Sequence, residues 1–134
     1  MKKVLVFGTF DGLHIGHLSF LEQARRHGDR LIVVVARDMN VKRSKGRRPL
    51  NDEKKRVASL KKFADRVILG ERKVTYKLIK KISPDVICIG YDQNPSISRA
   101  RKILRRIGMG RVSLKKMKPY RPSVYKSSRL NELR

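Results

Sequence analysis

Short apolar runs alternate along this chain with stretches of helical period. Val4-Leu5-Val6-Phe7 is the first run and ends at Gly8, a length that reads as a short buried strand. Leu18, Leu21 and Ala24 then share one face of a helix over 17–27, with Arg25 and Arg26 outside. Gly28 stands where a C′ residue closes a helix. His27 lies where a cation suits the helix C-terminus, so its expected role is structural. Leu31-Ile32-Val33-Val34-Val35-Ala36 is apolar throughout rather than alternating, as in a parallel strand covered on both faces. Strand, helix and strand within about 35 residues make a βαβ unit, whose crossover is expected to be right-handed.

The pattern continues. Arg37-Asp38 closes the second strand. Asp38 is then either a ligand contact at a strand's C-terminal end or a helix-capping or loop carboxylate; both readings stay open. Val41-Lys42-Arg43-Ser44-Lys45-Gly46-Arg47-Arg48-Pro49 packs five cations and a glycine into nine residues, which suggests a mobile loop. Asn51-Asp52-Glu53 begins a helix running to about Phe63, with Val57, Leu60, Phe63 and Ala64 on its apolar side. Val67-Ile68-Leu69 is a third strand, followed by a helix marked by Val74, Leu78 and Ile82 and stopped by Ser83-Pro84. Residues 85–90 form a fourth strand with Cys88 inside it as a small core residue. Ile97, Ala100, Ile103, Leu104 and Ile107 define an amphipathic helix whose outer face carries Arg99, Arg101, Lys102, Arg105 and Arg106. Arg111-Val112-Ser113-Leu114 is a fifth strand. The whole reads as an α/β fold in one domain, residues 1–134.

Composition narrows the class. No apolar run approaches the length of a membrane span, and no signal-type apolar region follows Lys2-Lys3. One cysteine excludes an internal disulfide and fits a reducing, cytoplasmic setting. The charge is less ordinary: 35 basic against 11 acidic residues leave a formal +24. Such an excess draws polyanions, whether nucleotides, phosphorylated metabolites or nucleic acid.

The densest candidate chemistry follows the first strand. Gly8-Thr9-Phe10-Asp11-Gly12 is a polar turn, and His14-Ile15-Gly16-His17 opens the next helix. A strand, a glycine-containing turn and a helix N-terminus present backbone N–H groups and the positive end of the helix dipole to one spot, as a phosphate site does. Two imidazoles three residues apart stand on one side of the first helical turn, and Gly16 between them opens the backbone to a ligand. The alternative is that the histidines merely cap or solvate the helix start.

Gly8-Thr9-Phe10-Asp11 followed by His14-x-Gly16-His17 resembles the nucleotidyltransferase superfamily of cytidylyltransferases, archaeal FAD synthases and pantetheine-phosphate adenylyltransferases. The resemblance runs from Met1 to about Leu130. It implies a Rossmann-like three-layer α/β/α fold with a five-stranded parallel sheet. Gly90-Tyr91-Asp92-Gln93, with Tyr120, Ser123 and Ser127-Ser128 in the tail, resembles the archaeal FAD synthases more than the cytidylyltransferases. Pro122 and Lys126 depart from their tail pattern. The family's Glu-x-x-Arg is met loosely by Glu53-Lys54-Lys55-Arg56, and Arg56 receives no role.

The resemblance also implies a chemistry. An acceptor phosphate attacks the α-phosphorus of a nucleoside triphosphate and pyrophosphate leaves, with ATP and FMN as the expected substrates. His14 and His17 are the expected catalytic donors. Thr9, Phe10, Ile15, Gly16, Asp92 and Tyr120 are expected beside the nucleotide, while Lys42, Lys45, Ser127 and Ser128 hold the leaving phosphates, Arg43 being able to replace either lysine. Mg²⁺ is expected to travel with the nucleotide, with no protein metal site, and a homodimer is the expected assembly. CTP-dependent transfer to glycerol phosphate or a similar phospho-alcohol uses the same site and is the alternative. A third reading is a nucleic-acid-binding protein using helix 96–107 and residues 41–48 on phosphate backbones. No aromatic residues interleave with those cations.

Overall fold

A computed structural model of the chain describes residues 1–73, 75–91 and 96–119. Its strands are β1 (Lys3–Gly8), β2 (Arg30–Val35), β3 (Arg66–Leu69), β4 (Val86–Ile89) and β5 (Ser113–Lys116); its helices are α1 (Ile15–Arg25), α2 (Asp38–Lys45), α3 (Glu53–Leu60), α4 (Lys77–Ile82) and α5 (Ile97–Arg106). The strands form one parallel five-stranded sheet in the order β3-β2-β1-β4-β5. Alternate strand residues face opposite sides. Val4, Val6, Val33, Val35 and Cys88 meet Leu21 and Ala24 of α1 and Leu60 of α3. Leu5, Ile32, Val34 and Ile87 meet Ile82 of α4 and Leu104 of α5. Both faces are covered, which is why β2 is apolar without alternation. The result is the expected Rossmann-like three-layer α/β/α arrangement.

The chain winds from β1 outward through β2 to β3, then returns to place β4 on the other side of β1. Reversal of strand order opens a crevice beyond the C-terminal ends of β1 and β4, where open α/β sheets bind ligands. At the opposite edge, aspartates fix the register. Asp29, Asp65 and Asp85 stand just before β2, β3 and β4. They accept hydrogen bonds from the amides of Lys2 (2.7 Å), Leu31 (2.7 Å) and Lys3 (2.8 Å) at the neighbouring strands.

Local departures from the sequence reading have local causes. α1 starts at Ile15 rather than 17, because His14 caps it. Gly28 is not a left-handed helix stop: α1 ends on Arg26 in right-handed geometry. A Cβ at Gly28 would stand 2.6 Å from Val4 Cγ2 and 2.8 Å from the Lys2 carbonyl, so close approach to β1 demands glycine there. Residues 41–45 are not a mobile loop. They belong to α2, with Asp38 in its first turn, Lys42, Arg43 and Lys45 in its last, and Gly46 at φ 79° closing it. β5 begins at Ser113, two residues late, because a turn closed by the Val112 amide on the Met109 carbonyl uses Arg111 and Val112. α4 begins at Lys77. Glu71 caps it by accepting from the amides of Thr75 and Leu78, each at 2.6 Å, and Val74 lies outside the described residues. Cys88 is in the core, and burial pushes its thiol up to about 11.

The C-terminal ends of β1 and β2 are tied together by one side chain. Arg56, on α3, is buried. Its Nη1 donates to the carbonyls of Thr9 (2.9 Å) and Ala36 (2.8 Å), and its Nε to that of Asn51 (3.0 Å). Its Nη2 pairs with Asp38 Oδ1 at 2.6 Å. Of the two readings left open for Asp38, the structural one is realised: its other oxygen accepts from the Glu53 amide at 3.2 Å, and Glu53 accepts in turn from the Asp38 amide at 3.1 Å.

Two outcomes follow for stability. Replacing Arg56 by Ala strands three carbonyls and the Asp38 carboxylate; the loss expected in urea unfolding is about 3 kcal/mol or more, and Arg56→Lys recovers little because one ammonium cannot reach four acceptors. Asp65 is held below the ordinary carboxylate range, chiefly by the Leu31 amide, against a smaller opposing effect of burial and with help from Arg25. The unfolded chain therefore takes up the proton first, and the contribution of Asp65 is full above about pH 4 and fades as pH falls below it. Urea midpoints should decline below about pH 4, and Asp65→Asn should be less stable at neutral pH with a shallower acid decline.

Candidate active site

His14 and His17 stand at the mouth of the crevice, and the fold uses their ring nitrogens before any ligand arrives. His14 is the N-cap of α1, in extended geometry. Its Nδ1 accepts from the Gly16 amide at 3.1 Å, and the Nδ1 of His17 accepts from the His14 amide at 3.4 Å. This is a capping box in which imidazoles replace the usual hydroxyl and carboxylate. The two rings stack 3.8 Å apart, 17° from parallel. An accepting Nδ1 leaves the proton of a neutral imidazole on Nε2. Two N–H edges, in a fixed tautomer and held side by side, therefore belong to the start of α1. Capping, the sequence alternative to ligand contact, is present and sets the tautomer for such contact.

The turn before α1 holds these rings from beneath. Phe10 is buried at φ 53°, its ring edge-on to His17 at 5.5 Å and tilted against Phe20 at 6.3 Å. A Cβ at Gly8 would stand 2.6 Å from that ring, so a glycine must precede it. At Gly16 the nearest obstacle to a Cβ is the His14 ring itself, at 2.9 Å, so this glycine makes room for the cap rather than for a bare approach to the backbone. Asp11 fastens the turn to the start of α3: its carboxylate accepts from the amides of Leu50 (2.7 Å) and Asn51 (2.9 Å). Burial raises the Asp11 pKa, but the Asn51 and Leu50 bonds outweigh that and hold it below its ordinary value.

A cavity of about 1570 Å³ opens over this edge of the sheet. Its wall includes Thr9, Phe10, His14, Gly16 and His17, with Gly90 and Tyr91 beyond β4. Arg43 and Lys45 of α2 and Arg99 of α5 supply cations from two sides; Lys42 and Ile15 are not on the wall. Gln23 of α1 grips residue 118 in both directions, its Nε2 donating to the Lys118 carbonyl and its Oε1 accepting from the Lys118 amide, each at 2.9 Å. That grip brings Pro119 to the cavity. Asp92, Tyr120, Ser127 and Ser128 lie outside the described residues.

Sequence reasoning missed Arg56, the Phe10 ring, Asp11, Glu71 and Gln23. The signal for Arg56 was its place in Glu53-x-x-Arg56; Asp11 and Gln23 depend on partners 39 and 95 positions away, while Phe10 and Glu71 act on near neighbours in sequence. Among the described residues no helix is long and apolar enough to cross a membrane.

Comparison with known proteins agrees with this geometry. The family described as cytidylyltransferase-like matches residues 5–132. A FAD synthase of Thermococcus sibiricus is 37% identical over 131 residues, 96% of this chain and 88% of the relative. FAD synthases of Ferroglobus placidus and Pyrococcus abyssi are 44% and 41% identical, over 81% and 95% of this chain and 72% and 84% of their own lengths. Among solved structures, a lipopolysaccharide core biosynthesis protein of Thermoplasma volcanium superposes with a TM-score of 0.83 at 35% identity, covering 90% of this chain and 98% of that one. Pantothenate synthetase of Thermus thermophilus shares the fold alone: TM-score 0.64, 17% identity, 87% of this chain and 55% of that one. With a parallel sheet of this winding, an imidazole-capped helix at its switch point and relatives matched over most of their length, the chain belongs to the cytidylyltransferase-like family.

Proposed function

We propose that this chain transfers the adenylyl group of ATP to FMN, forming FAD and pyrophosphate. The observation that carries the nucleotidyl-transfer reading is the pair of stacked imidazoles whose Nδ1 atoms are committed to the helix cap. The choice of ATP and FMN is supported by the FAD synthases among the relatives. An oxygen of the FMN phosphate attacks the α-phosphorus. The bond from that phosphorus to the bridging oxygen breaks, and pyrophosphate leaves with the electron pair. The attacking oxygen is already anionic, so neither a protein base nor a covalent intermediate is required. The work left to the protein is in-line placement and charge stabilisation.

His14 and His17 donate through Nε2–H to the phosphate undergoing transfer. Thr9, Phe10 and Gly16 shape the nucleotide's seat; the roles of Asp92 and Tyr120 in it rest on the family resemblance. Lys45 and Arg43 face the leaving phosphates, with Lys42 adding to the field and Ser127 and Ser128 supplying further donors. Mg²⁺, with its preference for oxygen ligands, would supply charge neutralisation as it travels with the triphosphate. The cavity suits that arrangement. Its carboxylates Asp11 and Glu71 already accept amide hydrogens, and among the described residues no group of three metal-binding side chains occurs. A metal bound through phosphates and water needs no such group.

Pyrophosphate release should be fastest with ATP and FMN in a grid of ATP or CTP against FMN, glycerol phosphate and phosphopantetheine. Release with CTP and glycerol phosphate in preference would replace this substrate assignment. His17→Ala should slow turnover by about 10²–10³. His14→Asn is the sharper variant: asparagine keeps an N-cap oxygen, so the thermal midpoint should hold while the rate falls with the lost Nε2 donor. Turnover near the parent level in either variant would contradict the imidazole mechanism.

A further inference from the structure

Beyond nucleotidyl transfer, we infer that the α5–β5 edge of the molecule binds the phosphate backbone of double-helical nucleic acid without regard to sequence. α5 places Leu104 and its apolar neighbours against the sheet and leaves Arg101, Lys102, Arg105 and Arg106 exposed. β5, which packs against α5, is the edge strand; its exposed Lys116 alternates with Leu114 on the α5 side of the sheet, while Lys115 faces the other side.

Among the described residues no carboxylate pairs with this surface. The sequence has no acidic residue between Asp92 and Glu132. Elsewhere the described carboxylates are committed: Asp11, Asp29, Asp38, Asp52, Glu53, Asp65, Glu71 and Asp85 accept main-chain amides, and Glu22 pairs with Arg26. The described ion pairs join Arg25 to Asp65, Arg26 to Glu22, Arg37 to Glu53 and Arg56 to Asp38, and none reaches α5 or β5. A polyanionic partner would therefore meet no competing described carboxylate at these cations.

The chemistry of that partner follows from what surrounds the cations. No large apolar or aromatic side chain is exposed among the described residues of α5 and β5. A membrane surface would call for such an anchor, and single strands would call for stacking platforms. A duplex needs neither.

The test is anisotropy of a short labelled duplex, as DNA and as RNA, titrated with the full chain between about 50 and 200 mM salt. Log affinity should fall linearly with log salt, by about 0.9 for each phosphate engaged, with several engaged. Exchanging Arg101, Lys102, Arg105 and Arg106 together for Gln should weaken binding at least tenfold and flatten that slope. A matched variant with Lys54, Lys55, Lys61 and Lys62 changed to Gln carries the same charge loss on α3 and the turn after it, and should bind nearly as the parent does. Thermal midpoint and pyrophosphate release check that both variants are folded; should the fourfold α5 variant fail to fold, Arg105 and Arg106 alone are changed to Gln and compared with Lys61 and Lys62 changed to Gln. Equal loss in both variants would reduce the effect to net charge and overturn the assignment. So would absence of duplex binding at the lower salt, tighter binding of single strands of equal length, or tighter binding to phosphatidylserine vesicles. Whether DNA or RNA binds more tightly identifies the source of the backbone.

Discussion

A guanidinium in the interior holds the ligand edge of this protein in shape. Taking such a charge out of water costs several kcal/mol, and the cost is met only when every donor finds an acceptor in good geometry. Arg56 meets that condition. It reaches Thr9 after β1, Ala36 after β2, Asn51 before α3 and Asp38 in the first turn of α2. These are the segments that must come together for a strand to hand over to a helix at the crevice. A planar group with donors in a fixed fork can define four directions at once, which an ammonium on a flexible stem cannot. The turn carrying Thr9 and Phe10 is thereby placed, and the imidazoles of His14 and His17 follow at the cap and first turn of α1. Asp11 adds a second tie from the same turn to the α3 start.

The charge distribution has the same logic. The net charge of +24 is extreme, yet among the described residues the exposed ion pairs are Arg25–Asp65 and Arg26–Glu22. The few carboxylates serve instead as acceptors for main-chain amides, at strand starts, helix caps and the turn before α1. An acid used in this way stabilises backbone geometry and blunts a neighbouring cation only weakly. The basic side chains are left to set the potential outside, and a cavity rimmed by Arg43, Lys45 and Arg99 concentrates phosphorylated ligands.

What could be read from the chain follows the range of the interactions involved. The strands, α1 and the histidine turn show in the sequence because their signals are local: apolar runs of strand length, a helical period, a glycine after a strand. α2 was hidden by its own charge. Five cations around Gly46 read as a solvated loop, although Asp38 in the first turn, lysines in the last and a glycine stop are the ordinary marks of a short helix. β5 was misplaced by the turn at Arg111 and Val112, whose apolar valine resembles a strand residue. Arg56 could not be assigned from sequence, since its partner Thr9 lies 47 positions away. Gly28 and Gly16 were recognised as special for reasons that proved different: their constraints are a neighbouring strand and a neighbouring ring.

The imidazole pair joins folding to chemistry in one set of atoms. A helix N-terminus needs acceptors for its first amides, and serine or aspartate would serve better than histidine. Histidine at both positions of the box makes sense when the other ring nitrogen has its own task. The cap fixes the tautomer, the stacking fixes the spacing, and Phe10 beneath His17 fixes the plane. Each of these is satisfied without ligand, so in the proposed reaction the donors would incur no reorganisation as charge develops on a phosphate. Phe10 holds a left-handed backbone that a bulky residue adopts at a cost of the order of 1–3 kcal/mol, and such strain persists where surrounding contacts over-determine it. Here those contacts are the Arg56 tie on one side and the His17 ring on the other. The strained residue is therefore the mechanical link between the buried cation and the site.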